Sequence, residues 1–468
     1  MISWFKDRRL KNDPQKQFLV YQNRSYTIEE LSLNISTIQK VFSVSKINKQ
    51  DKLVVFLPNG VDIVEIILAC FESGIIVVPI STKFTKIELK KIIKLINPKV
   101  IVTNWELKNR VDDLGITTLE IEEFPSIARV CQVYESNYSI KKNDVAAIIL
   151  TSGTTDIPKA VELTYQNFEA SCQNWDSFLN FKNNDQFLCC LPLHHIGGLA
   201  VLVRALIYDF SINLAESFNS DLLYNLIKAN PVSIVSLVPT MLEKIINKPD
   251  GIDCLLPLRA ILLGGGPASN KLLDKCLKNK LNIVKTYGMT ETCSGIVGLW
   301  IKDYPSKKES SGKPFKDVKI KVINNEVHIK GPMVMKGYLN EKKNNEYHNS
   351  KDIGWLDKDN NLFIEMRRKD LIVSGGENIN PKEIELLLMK IKNIQDCAIV
   401  GVPDDKWGQK VVAYICMKDK NNSISPKEII DYLLIDLSKY KIPKEFVFVD
   451  FIPRNEIGKV ILQKVISL

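Results

Sequence analysis

The stretch Thr151-Ser152-Gly153-Thr154-Thr155-Asp156-Ile157-Pro158-Lys159 follows the apolar run 145–150 without a break. A turn rich in glycine and hydroxyls leaves backbone N–H groups free to converge on an anion, and a lysine adds a point charge. That is chemistry for gripping a polyphosphate. The loop is not that of kinase-like folds, because the GxxxxGK[ST] spacing is absent. Asp156 is the discordant residue, a negative charge where such a loop is expected to carry glycine. At about 6 Å and an effective dielectric near 20, each like-charge pair costs roughly 3 kcal/mol before screening.

Three further segments carry the same theme. ILLGGGPAS places Gly264, Gly265 and Gly266 straight after an apolar run, where backbone can approach a flat ring or a ribose closely. KTYGMTET supplies an aromatic, a glycine, a hydroxyl and a carboxylate in Tyr287, Gly288, Thr290 and Glu291. NEIGKVIL places a lone lysine, Lys459, after a glycine near the end of the chain. Singly, each reads as an ordinary turn. Their order along one chain points to nucleotide chemistry.

The motifs TSGTTDIPK, YGMTE, KDIGWLD, RRKDLIVSGGENINPKEIE and PRNEIGK resemble those of the acyl-adenylate-forming enzymes, and the likeness spans roughly residues 20 to 465. That superfamily includes acyl-CoA synthetases, adenylation domains and luciferases. The resemblance implies a two-step reaction. A carboxylate attacks the α-phosphate of ATP to give an acyl-adenylate and pyrophosphate; a thiol, usually that of coenzyme A, then displaces AMP. It further implies that Thr151, Ser152, Gly153, Thr154, Thr155 and Lys159 hold the β- and γ-phosphates. Thr290 would contact the α-phosphate and Glu291 would hold Mg²⁺ against the departing pyrophosphate. Gly264, Gly265, Gly266 and Tyr287 would bracket the adenine, and Asp352 would accept both ribose hydroxyls, with Arg367 nearby. Lys459 would bridge the acyl carboxylate and the α-phosphate, a cation where two anions must meet. In the family a small C-terminal domain turns between the half-reactions about a hinge, here Lys369, and the GGENI loop belongs to its thioester-forming face. The sequence departs from the family at Asp156, Ala160, Tyr165, Lys351 and Leu462, none of which is assigned a role.

The acid is the harder inference. In LPLHHIGGLAVLVRALIYDF, Arg204 has Ala200, Val201, Ile207 and Tyr208 at helical spacings, so its own helix face is apolar. A guanidinium there snorkels to water, joins a structural salt bridge or meets a buried anion. This segment, with SLVPTML, ILLGGGPA and TYGMTETCS, is most similar to the subgroup that ligates o-succinylbenzoate to coenzyme A in menaquinone or phylloquinone biosynthesis. That acid has two carboxylates. One is activated, and the other stays ionised and needs a cation, for which Arg204 is the candidate with His195 lining the pocket. A synthetase for another aryl or medium-chain acid remains the alternative, and a nucleotide-binding protein without turnover is the alternative of another class.

These residues need a scaffold. LVVFLPNG, VDIVEIILACFESG and IIVVPIS read as strand, amphipathic helix and strand, and the rhythm recurs through RAILLGGG and NIVKTYG. Such alternation predicts an α/β fold, a large N-terminal domain of layered, mostly parallel sheets. From Val318 the pattern turns to β, with a hairpin about Asn324–Asn325. After Glu365-Met-Arg-Arg-Lys-Asp370 a fresh unit begins, with helices in PKEIELLLMKI and 425–437 and strands in CAIVGVP and VVAYICMK. This gives an N-terminal AMP- and acid-binding domain, residues 1–366, and a small mobile α+β C-terminal domain, residues 367–468, that carries Lys459.

Composition narrows the classes. The formal charge of +9 over 468 residues is spread along the chain, with neither a basic block nor zinc spacing, which disfavours nucleic acid as a partner. Ten cysteines without a CxxC pair, several in apolar runs, suit reduced thiols in a cytoplasmic protein. No apolar run is long enough for a membrane span, and the N-terminus lacks the pattern of a signal peptide. The partners expected are therefore a small carboxylic acid, ATP, Mg²⁺ and coenzyme A; the sequence leaves the oligomeric state open, a homodimer included.

Overall fold

The computed structural model describes residues 13–130, 139–151, 158–216, 219–266, 268–341, 346–366, 372–419, 424–453 and 465–466. Their contacts divide them into two compact units. Described residues within Met1–Thr82, Leu95–Thr151 and Ala160–Met366 form the larger; those within Lys83–Lys94, Ser152–Lys159 and Arg367–Leu468 form the smaller.

The larger unit is built on two mostly parallel sheets. In one, the neighbouring strands Ile283–Met289, Ala260–Leu263, Ile234–Leu237, Gln186–Cys189, Ser211–Leu214 and Gln17–Tyr21 all run parallel. Ser294–Trp300 and Lys313–Pro314 add antiparallel strands at one edge. The other sheet places Gly337–Tyr338, Lys159–Thr164, Val145–Thr151, Ile76–Pro79, Lys52–Val55, Val100–Thr103 and Thr118–Glu120 side by side. Runs such as Leu53-Val54-Val55 and Ala260-Ile261-Leu262-Leu263 are buried at every position, as parallel strands covered on both faces must be. A third, antiparallel sheet contains Lys319–Ile323, Glu326–Lys330, His348–Leu356 and Leu362–Met366. Its first hairpin turns at Asn324 and Asn325, with φ of 51° and 63°, the left-handed pair that a two-residue turn requires.

Two helices matter for the site. The helix Tyr165–Leu179 starts on a reciprocal cap: Thr164 Oγ1 accepts from Asn167 N–H, and Asn167 Oδ1 accepts from Thr164 N–H. It stops at Asn180, whose φ of 52° is left-handed. Tyr165, where the family usually has histidine, is buried and donates through its hydroxyl to Phe71 O at 2.7 Å. The helix Ile196–Tyr208 begins after His195 and, Arg204 apart, carries almost only apolar side chains, so most of it lies inside the protein. Gly198 lets it tuck onto the turn before it, since a Cβ there would stand 2.4 Å from Pro192 O.

The smaller unit pairs Glu377–Ile379, Ile372–Ser374, Gly408–Met417 and Ile394–Asp404, with Glu445–Val449 parallel to Gly408–Met417. The helices Pro381–Leu388 and Pro426–Asp436 close its core around Ile384, Leu388, Val411, Ile429 and Leu433. The nine described cysteines are buried and none is in a disulfide. Among the described residues no helix is long and apolar enough to cross a membrane.

Candidate active site

The strand Ile283–Met289 and the strand Ser294–Trp300 form an antiparallel hairpin that carries Tyr287, Thr290 and Glu291. The turn between them is the short 3₁₀ helix Thr290–Thr292. Thr292 closes it, because its hydroxyl oxygen accepts from Met289 N–H at 3.0 Å and its hydroxyl lies 2.8 Å from the Ser294 carbonyl. Two successive non-glycine residues, Cys293 and Ser294, then take positive φ of 51° and 88°. Sharp reversals of this kind cost energy and persist where the surroundings over-determine them. Gly288 is forced by the same geometry. A Cβ there would lie 2.1 Å from Ser294 O and 2.6 Å from the Gly295 Cα.

Next to this hairpin the strand Ala260–Leu263 ends in the glycine run. Gly264 faces the Thr286 side chain, where an added Cβ would be 2.7 Å from Oγ1, so the two strands close up only around a bare Cα. Gly265 has a φ of +77° and lies against Val238. Gly266 meets only Pro239, at 3.8 Å. Tyr287, one residue beyond Thr286, is buried, and its hydroxyl donates to Asp352 Oδ2 at 2.7 Å. Asp352 comes from the antiparallel sheet and is itself buried, with its backbone N–H donating to Ser350 Oγ at 3.1 Å. The fold therefore brings Gly264, Tyr287 and Asp352 together from two sheets.

Glu291 is 2 % exposed. Its Oε1 accepts from the Tyr338 hydroxyl at 2.9 Å, and its backbone carbonyl accepts from Met335 N–H at 2.8 Å. Tyr338 belongs to the other parallel sheet, where it pairs with Val161 in the strand that begins at Lys159. Thr151 ends the neighbouring strand. Ser152, Gly153, Thr154, Thr155, Asp156, Arg367, Lys369 and Lys459 lie outside the described residues.

Arg204, 3 % exposed, reaches the hairpin at Ser294. Its Nη2 donates to Ser294 Oγ at 2.5 Å, and its guanidinium carbon stands 4.8 Å from the centroid of the Trp175 ring. Its Nε has no acceptor, and no carboxylate pairs with it, among the described residues. Burial draws its proton affinity down, and the groups around it are Cys172, Cys293, Tyr208 and Cys189. Burial pushes the thiols of Cys172 and Cys189 up to about 12, so neither is ionised at neutral pH. Among the described residues Arg204 is thus a buried cation held by a hydroxyl and a ring, with no salt bridge and little exposure to water. His195 precedes the same helix, half-buried, with its ring 4.4 Å from that of His194.

The donor set suits Mg²⁺ only in company. Among the described residues no cluster of three His, Cys, Asp or Glu side chains could hold a metal unaided. A single carboxylate oriented by a phenol, as in Glu291, is the kind of hard oxygen donor Mg²⁺ takes when phosphates and water complete its octahedron.

The family model for AMP-binding enzymes matches residues 6–339, and that for the AMP-binding enzyme C-terminal domain matches residues 383–459. The chain belongs to the AMP-binding enzymes. Among relatives of this AMP-binding enzyme, the 2-succinylbenzoate–CoA ligase of Oceanobacillus iheyensis is 32% identical, with 97% of each chain covered. That of Bacillus licheniformis is 33% identical over 99% of this chain and 98% of its own. A double mutant of the o-succinylbenzoate CoA synthetase MenE from Bacillus subtilis, bound with its product analogue OSB-NCoA, superposes with a TM-score of 0.92. It is 29% identical, covering 100% of this chain and 99% of that one. The same synthetase with its acyl-adenylate intermediate OSB-AMP gives 0.75 at 30% identity, covering 99% and 98%. The expected α/β fold with a large N-terminal and a small C-terminal domain is that of these enzymes.

Three residues of the site escaped the sequence reading. Tyr338 has no charge to flag it, and Trp175 sits at a core-facing position of an amphipathic helix, indistinguishable by period from packing. Ser294 was within a quoted motif, but only the reversal at Cys293 turns it toward Arg204.

Proposed function

We propose that this chain is an ATP- and Mg²⁺-dependent ligase that converts o-succinylbenzoate to o-succinylbenzoyl-CoA through an acyl-adenylate. The observation that carries the choice of acid is Arg204, a buried guanidinium without a carboxylate partner among the described residues, fixed on Ser294 beside the Thr290–Glu291 turn. An aryl acid with a second, unreacting carboxylate supplies the missing counter-charge, and a buried cation gains most from such a partner because water is excluded.

In this reading Tyr287 and Gly264 to Gly266 bracket the adenine, and Asp352 holds the ribose. The 151–155 turn and Lys159 grip the outer phosphates. Thr290 meets the α-phosphate and Glu291 holds the Mg²⁺. That ion, arriving with ATP, supplies positive charge to the leaving pyrophosphate. Lys459, in a small domain of residues 367–468 hinged near Lys369 and with Arg367 at its start, brings a cation to the point where carboxylate and α-phosphate meet. His195 lines the acid pocket. The coenzyme A thiol then displaces AMP. Nine buried cysteines outside disulfides suit a reducing compartment, and we place the enzyme in the cytoplasm.

The test is a panel of carboxylic acids assayed for AMP release with ATP, Mg²⁺ and coenzyme A. o-Succinylbenzoate is expected to give the highest kcat/KM, and Arg204→Ala to raise its KM at least tenfold. A better aryl or medium-chain monocarboxylate, or unchanged kinetics in Arg204→Ala, would overturn the assignment of the acid. Absence of acid-dependent ATP–pyrophosphate exchange with every acid would leave a binder without turnover.

A further inference from the structure

We propose that Trp175 is a positioning residue for acid selection: its indole is a rigid plate that fixes the plane of Arg204 so that the guanidinium meets the unreacting carboxylate. The inference rests on the proposed acid and adds a residue to its recognition.

Trp175 is 2 % exposed and is held on several sides. Phe315 meets it edge-on, with centroids 5.1 Å apart and planes at 70°, and Phe178 does so at 6.3 Å and 87°. Its six-membered ring also presses on the hairpin. A Cβ added to Gly295 would stand 2.5 Å from Trp175 Cζ2, so the indole occupies the space a side chain there would need. The guanidinium carbon of Arg204 lies over the Trp175 ring, 4.8 Å from its centroid. A cation–π contact gains strength when it is desolvated, as this one is.

The plate acts on direction as well as energy. An arginine side chain has several rotatable bonds, and in an apolar cavity it needs a fixed support if its donors are to point one way. Ser294 Oγ takes one donor, at Nη2. With the guanidinium carbon over the Trp175 ring and one donor on Ser294, the Nε edge of the fork stays available. Arg204 Nε and Trp175 Nε1 are both buried donors without an acceptor among the described residues, which marks this corner as built for an acceptor. Ser171 completes the support. Its hydroxyl donates to Cys293 O at 2.7 Å and lies 3.4 Å from Ser294 Oγ, which fixes the serine that Arg204 contacts.

The experiment compares o-succinylbenzoate with 3-benzoylpropionate, the same skeleton without the ring carboxylate, in wild type, Trp175→Phe, Trp175→Leu, Gly295→Ala and Arg204→Ala. Trp175→Leu is expected to raise the KM for o-succinylbenzoate about tenfold or more with kcat changed less than threefold. The KM for 3-benzoylpropionate should stay within twofold. Trp175→Phe, which keeps a ring, should fall between, and Gly295→Ala should resemble Trp175→Leu because its Cβ displaces the indole. Should Trp175→Leu not fold, the Phe and Gly295→Ala proteins carry the same comparison. Equal effects on the two acids, or none, would overturn the role of Trp175. If Arg204→Ala is selective while the Trp175 and Gly295 variants are not, only this inference fails; if Arg204→Ala is also unselective, the proposed acid fails with it.

Discussion

The Tyr287 hydroxyl donates to Asp352 Oδ2 across 2.7 Å, joining the parallel sheet that bears the glycine run to the antiparallel sheet beside it. Both residues are buried, so the hydrogen bond fixes the distance between an aromatic face and a carboxylate, the two groups a nucleoside needs. Hydrogen bonds to charged groups contribute roughly 1.5–3 kcal/mol, and losing them is worth about a tenfold to hundredfold change in affinity. Asp352→Ala is therefore expected to raise the KM for ATP by about that factor in acid-dependent ATP–pyrophosphate exchange. Tyr287→Phe keeps the ring and should raise it less, about three- to tenfold. An unchanged ATP KM in both variants would remove them from the nucleotide site.

Gly288 offers a steric test of the same hairpin. A methyl group at this position would sit 2.1 Å from Ser294 O, and neither strand can shift without breaking the pairing of Met289 with Ser294. Gly288→Ala should lower stability by about 1–3 kcal/mol and abolish adenylation, because Thr290 and Glu291 ride on the displaced turn. Wild-type exchange rates in this variant would show that the turn tolerates movement.

Much of this was legible in the sequence, and for physical reasons. Buried parallel strands read as apolar runs, so the positions of Ala260–Leu263 and Ile283–Met289 follow from periodicity. The Asn324–Asn325 turn is also visible, because a two-residue hairpin favours residues that accept positive φ. What periodicity cannot give is pairing across the chain. Tyr338 with Glu291 and Trp175 with Arg204 are separated by 47 and 29 positions, and neither aromatic differs in sequence from a core residue. The glycine run was read as room for a ligand, yet the reason for Gly264 is also internal: the next strand's Thr286 needs the space.

Lys351, where the family usually has glycine, turns that departure into a measurable strain. Its φ is +58°, and it is exposed, with its N–H donating to Asn349 Oδ1 at 2.7 Å. A left-handed residue with a side chain costs about 1–2 kcal/mol, and a β-branched one costs more. Thermal unfolding should rank Lys351→Gly at or above wild type and Lys351→Val below it by about 1–2 kcal/mol. The reverse order would mean that the backbone rearranges here.

Lys459 is proposed to serve only the first half-reaction. Lys459→Ala should lose acid-dependent ATP–pyrophosphate exchange by at least a hundredfold, yet convert preformed o-succinylbenzoyl-adenylate and coenzyme A to thioester within about threefold of wild type. The two halves separate because a cation placed between carboxylate and α-phosphate has no counterpart when a thiol attacks the finished mixed anhydride. Equal loss of both activities would refute the division of labour.

Glu65, to which the site reading assigns no role, gives the protein a stability that depends on pH. It lies buried in the helix Val61–Ser73, where desolvation raises its carboxyl to about 7 even though Asn34 Nδ2 donates to Oε1 at 2.7 Å. The folded state then keeps a proton that the unfolded chain, with its ordinary value of 4.5, has released. Between those two values the native state binds more protons, so this group's contribution to stability falls as pH rises from about 4.5 to about 7 and is level above. Glu65→Gln keeps the hydrogen bond to Asn34 and cannot ionise. At pH 8 it should be more stable than wild type by an amount on the order of 3 kcal/mol at most, and at pH 4 the two should match. The measurement is urea unfolding of both proteins at intervals from pH 4 to 8. Curves that stay parallel across that range would show that Glu65 is ionised in the fold at neutral pH and that its surroundings are wetter than its burial implies.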